Sequence, residues 1–162
     1  MKKAILLLAI TFTSVACLAQ SKLLSYEDVK YLIRNDLNQA DTFLLAKGYT
    51  LKSKNVKKKF SEYTMPREGR TFINVNLRMD GRRMFIEIET TDVTQYNLIY
   101  NSILQYPHKF SLTGADIETY AVKDLFTAYI VVNEVVPYSP IIKNYSIQIV
   151  PDKNAVADRD LN

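Results

Sequence analysis

The chain has 162 residues, 48% of them hydrophobic and 23% charged, with a formal net charge of +4; those proportions are ordinary for a globular protein and allow one domain with a real core. A single cysteine, Cys17, and a single histidine, His108, exclude a disulfide framework and a histidine-based metal cluster. Stability has to come from packing.

The first stretch has the pattern of an export signal. Lys2 and Lys3 precede an apolar run from Ala4 to Ile10, and small residues follow around Ala16 and Ala19. Residues 1–19 are therefore expected to be a signal peptide cleaved after Ala19, leaving Gln20 first in a periplasmic or secreted protein. The alternative is a lipobox, Ser14-Val15-Ala16-Cys17, with lipidation of Cys17 and anchoring as a lipoprotein; Ser14 stands where such a motif usually has an aliphatic residue. A retained membrane helix fits less well, because the run is short and Thr11, Thr13 and Ser14 interrupt it. No other stretch approaches transmembrane length.

A helix is predicted from Tyr26 to Lys47, with Ser25 as its cap and Asp28 completing a capping box. Val29, Leu32, Ile33, Leu37, Ala40, Phe43 and Leu44 give it one apolar stripe, and Gly48 is its natural stop. Strands follow at Tyr49–Ser53 and Phe60–Met65. Thr71–Met79 and Arg82–Thr90 flank Asp80-Gly81, which reads as a two-residue hairpin turn. That turn would set Leu77 opposite Met84, Val75 opposite Ile86, Ile73 opposite Ile88 and Arg78 opposite Arg83, with Asn74, Asn76, Phe85, Glu87 and Glu89 on the other face.

A second helix is predicted from Val93 to Tyr106, capped by Asp92 with Gln95 in the box position and ended by Pro107. Four more strands have the right composition: Lys109–Thr113, Ile117–Val122, Phe126–Asn133 and Ile142–Val150. The expectation is an α+β fold in one domain over residues 20–150, with a flexible tail at 151–162. Its antiparallel sheet would carry two helices packed on one face.

The order, helix then four strands, occurs twice, over 25–90 and 92–150, and suggests a duplicated repeat. Tyr49-Thr50-Leu51 answers to Phe110-Ser111-Leu112, Glu62-Tyr63 to Thr119-Tyr120, and Phe72-Ile73-Asn74-Val75-Asn76 to Tyr129-Ile130-Val131-Val132-Asn133. This arrangement resembles that of β-lactamase inhibitor proteins and, more loosely, the saddle of TATA-binding proteins. Element order alone carries the likeness, and it transfers no functional residue.

Charge is divided unevenly. Residues 20–83 carry 14 basic and 7 acidic side chains, and residues 84–162 carry 5 and 10. Lys52, Lys54, Lys57, Lys58, Lys59, Arg67, Arg70, Arg78, Arg82 and Arg83 make the first part cationic. Two readings stand beside each other: a solvated, lysine-blunted edge, and a face that binds an anionic partner through Lys57, Lys58, Lys59, Arg67, Arg70, Arg78, Arg82 and Arg83. A second candidate contact is the proline-stiffened apolar loop with Val136, Pro137, Tyr138, Pro140 and Ile141; it would act either as a flap over the core or as a surface for a partner.

Catalytic motifs are missing. No G-x-S-x-G accompanies His108, which is placed to complement the carbonyls of the preceding helix end. Glu87 and Glu89 alternate on one strand face and read as its solvated side, and the four glycines do not form a phosphate-binding loop or a dinucleotide fingerprint. No cofactor and no metal is expected. The favoured function is an exported, non-enzymatic binding protein that recognises a macromolecular or anionic envelope partner through a sheet surface and loops. One alternative is an immunity or inhibitor protein of a secreted enzyme or toxin. Another is a small secreted hydrolase or nuclease with His108 as base and the cationic face holding phosphate. An export signal argues against an intracellular nucleic-acid target.

Overall fold

The computed structural model describes residues 22–69, 71–114, 116–135, 142–153 and 155. Eight antiparallel strands form one sheet: β1 (Thr50–Asn55), β2 (Phe60–Pro66), β3 (Phe72–Asp80), β4 (Arg83–Thr90), β5 (His108–Thr113), β6 (Ile117–Val122), β7 (Phe126–Val135) and β8 (Ile142–Pro151). Their spatial order is β1-β2-β3-β4-β8-β7-β6-β5. Two four-strand meanders therefore meet at the β4–β8 pair, where Ile86 faces Ile149 and Ile88 faces Ile147. The fold is α+β, with helices packed against one face of the sheet.

Among the described residues three helices, not two, form that layer: α1 (Tyr26–Arg34), α2 (Leu37–Ala46) and α3 (Val93–Gln105). The single helix expected over 26–47 is broken in the middle. Asn35 is extended (φ −113°, ψ 160°), and Asp36 starts a new helix by accepting from the Asn38 and Gln39 amides, with Gln39 returning a hydrogen bond to the Asp36 N–H. A second capping box inside the apolar stripe thus outweighed its periodicity. The ends of the segment are as expected: Ser25 and Asp28 cap each other, and Gly48, at φ +90°, ends α2. Two hydrogen bonds, Gly48 N–H to Leu45 and Tyr49 N–H to Leu44, close a Schellman motif.

Beneath the helices the sheet contributes Tyr63, Ile73, Val75, Leu77, Met84, Ile88, Phe126, Ala128 and Ile147, all fully buried. Alternation along β3 and β4 sends every second residue to the opposite, open face.

The hairpin register differs from the expected one. Asp80 pairs with Arg83, Leu77 with Ile86, Val75 with Ile88 and Ile73 with Thr90, so Gly81-Arg82 is the turn. Gly81 takes φ +59° while Arg82 stays outside the left-handed region, the pattern of a type II′ turn with glycine first. The slip is two residues, which preserves the faces while changing every partner. Arg78 consequently faces Phe85, not Arg83.

Two further differences concern α3 and the chain end. Asp92 caps α3 as expected, but the Gln95 side chain reaches Leu24 instead of closing a box: its Nε2 donates to the Leu24 carbonyl and its Oε1 accepts from the Leu24 N–H, both at 2.8 Å. Gln95 is fully buried. Past the expected boundary at 150 the chain is still held, because Pro151 closes β8, the Asp152 N–H donates to Leu125 and Ala155 is buried.

Candidate functional site

Antiparallel pairing decides which of the cationic residues meet. The β1–β2 turn (Val56–Lys59) and the β3–β4 turn lie at the same end of the sheet, because Phe60 pairs with Arg78 and the Met79 N–H donates to Lys59 at 2.9 Å. Lys57, Lys58, Lys59, Arg78 and Arg82 are exposed there, with Arg83 half-buried. Lys59 sits at φ 49°, and the Asn55 carboxamide accepts from the Lys58 N–H, so the lysine turn has a defined shape.

Arg67 lies elsewhere. It is at the opposite end of β2 and β3, about 30 Å away for a nine-residue strand, where its Nε contacts the Asp92 carboxylate at 3.2 Å. Arg67 therefore supports the start of α3 and does not join the cationic end. Lys52 and Lys54 are held by Glu62 and Asp41, at 2.8 and 2.9 Å. Arg70, Cys17 and the loop residues Val136, Pro137, Tyr138, Pro140 and Ile141 lie outside the described residues.

Arg78 and Arg83 are organised by an aromatic ring. Their guanidinium carbons stand 5.2 and 5.1 Å from the centroid of Phe85, a geometry in which the negative ring face offsets part of the repulsion between the two cations. Arg83 also donates from Nη2 to the Pro151 carbonyl at 2.8 Å, while its Nε is buried without a hydrogen-bond partner.

A cleft of about 380 Å³ opens on the helix-free face beside these arginines. Phe60, Asn76, Arg78, Phe85, Glu87 and Gln148 border it. Asn76 and Gln148 each donate to one oxygen of Glu87 at 3.1 Å, and the Asn76 Oδ1 is buried without a partner. Two separate aromatic rings, one cation and a carboxylate with both oxygens engaged thus surround a concave, water-accessible space.

Beyond the cleft the open face turns acidic. Glu87 and Glu89 are half-buried, not fully solvated as expected. Burial, reinforced by Glu87 and Glu62, pushes the Glu89 carboxyl above its ordinary value of 4.5. Glu62 is drawn below that value, chiefly by its hydrogen bond from Lys52. Among the described residues no group of three metal-ligating side chains occurs, and no helix is long and apolar enough to cross a membrane.

His108 opens β5 and its Nδ1 donates to the Tyr106 carbonyl at 2.8 Å, at the end of α3. Four strand spacings separate β5 from β4, about 19 Å. The base and the phosphate-holding cations of the hydrolase alternative are therefore not brought together. Beside Lys57–Lys59 the sequence offers Phe60 as an aromatic partner, whereas nothing in it marks Phe85, Asn76 and Gln148 as site residues. Alternation placed Asn76 and Phe85 on one face, but only the β4–β8 pairing reveals that Gln148 completes the cleft.

Comparison with known proteins gives no match among family models, curated proteins or solved structures. The likeness to β-lactamase inhibitor proteins rests on arrangement alone.

Proposed function

We propose that the protein is an exported binding module that takes an anionic macromolecular partner at the cationic end of its sheet, without catalysis. One observation carries this reading: two separate hairpin turns bring Lys57, Lys58, Lys59, Arg78, Arg82 and Arg83 together beside the aromatic-walled cleft. Clustered cations speed encounter with an anionic partner, and a concave site that mixes aromatic and polar walls gives such a partner something to fit.

The helices cover one face only, so the polar face of the strands is open to a second macromolecule. That feature favours, as a second reading, an inhibitor or immunity protein that lays this face against an enzyme. Fold arrangement supports it only by analogy.

The test is capture of partners from envelope extract by the wild-type chain and by the Lys57→Gln, Lys58→Gln, Lys59→Gln triple variant. All three lysines are exposed, so folding should be unaffected. The expected result is a partner that is lost in the variant and released as salt rises. Retention that ignores both changes would overturn the anionic assignment and move attention to the open face.

A further inference from the structure

The two edges of the sheet are built differently. β1 carries Lys52 and Lys54, and its register slips between Leu51 and Ser53; charge and a bulge are both devices that stop an edge from pairing with another chain. β5 lacks them. Its pairing with β6 runs unbroken from His108 to Thr113, and Lys109 is its one Lys, Arg, Asp or Glu residue. Phe110 and Leu112 stand 53% and 64% exposed, on the face that Phe110 shares with Tyr120.

We propose that β5 is a self-association edge, through which two copies of the chain pair antiparallel about a two-fold axis at Ser111. Alternation restricts the register, because apolar side chains of both copies must fall on one face. Pairing Ser111 with its mate sets Phe110 of each copy opposite Leu112 of the other, so four apolar side chains cover one another. On the other face Lys109 falls opposite Thr113 of the second copy, next to the turn that carries the exposed Asp116. The strand's one cation then lies beside an acid-bearing turn at each end of the pairing, and no like charges face each other. This self-complementarity selects a second copy over an unrelated strand.

The experiment uses the full chain carrying Cys17→Ser, in which an introduced thiol is unique. Sedimentation is expected to show a dimer that forms with rising concentration, and Leu112→Lys, at an exposed position, is expected to be monomeric, melting like wild type at dilutions where wild type is itself monomeric. Ser111→Cys in the same background should crosslink to itself on mild oxidation. Directly opposed residues of antiparallel strands have Cα atoms about 4.5–5.5 Å apart, within the span of a disulfide. Lys58→Cys, equally exposed in the distant turn, is the control and should stay uncrosslinked. A chain that sediments as a monomer at every concentration, a Leu112→Lys variant that still dimerises, or crosslinking no faster at Ser111→Cys than at Lys58→Cys would each overturn the proposal.

Discussion

The two meanders of this sheet share an order of strands and differ in nearly everything laid upon them. β1–β3 belong to the basic part of the chain and β4 opens the acidic part, with α2 packed on β1, β2 and β3 and α1 on β4. β5–β8 belong to the acidic part. There α3 reaches the strands through tyrosines: Tyr96 stacks on Tyr145 at 4.2 Å, and the Tyr100 and Tyr120 hydroxyls are 3.1 Å apart. Burial drives the Tyr120 hydroxyl pKa upward, with the bonds to Tyr100 and Glu118 adding to it. The difference teaches that charge can vary over the turns, the edges and the open face without disturbing the sheet, while alternation of apolar residues builds its buried face.

The largest effect should come from testing whether the meanders form one unit. Phe126 is fully buried in the second and Leu44 fully buried over the first. Phe126→Ala should cost about 3–5 kcal/mol and Leu44→Ala about 2–5 kcal/mol. Because β4 pairs with β8, urea titration should show both variants shifting one cooperative transition. Two separate transitions would break the comparison into two independent domains.

Gln95 sharpens it at the join. Replacement by alanine removes both hydrogen bonds to Leu24 and leaves its buried amide and carbonyl without partners, at a cost of about 2 kcal/mol. Amide exchange at Leu24 would then approach the rate of an open chain, and an unchanged rate would show the clamp to be unimportant.

The smallest effect concerns the acidic side of the open face. The fold prefers the protonated Glu89 carboxyl, so its contribution is most favourable below the ordinary value of 4.5 and is lost as pH rises through the elevated one. Glu89→Gln should therefore be more stable than wild type near about pH 7 and no different once pH falls below the ordinary carboxylate range. Thermal melts across that window check it. A variant destabilised at neutral pH would show that the charge has a favourable partner.

Much of this was written locally. Strand boundaries fell within a few residues of the alternating runs, and Gly48 stopped its helix where φ > 0 was needed. What failed were choices between neighbouring local signals. Asp36 and Gln39 spell a capping box as clearly as Ser25 and Asp28 do, yet they lie within a continuous apolar stripe whose periodicity points to one unbroken helix. Asp80-Gly81 and Gly81-Arg82 are both acceptable turns, and the cross-strand pairs around Phe85 decide between them. The cleft was not legible at all, since Gln148 reaches Glu87 only through a pairing of strands 61 residues apart in the chain.

The grip on Leu24 also fixes a direction. Leu23 and Leu24 are pinned from two sides, the Leu23 carbonyl accepting from Lys47 Nζ at 3.0 Å and Leu24 bridged to Gln95. The chain thus enters the body through the helix layer. That entry and the cleft therefore lie on opposite faces of the sheet, so a partner seated in the cleft leaves the grip on Leu24 untouched.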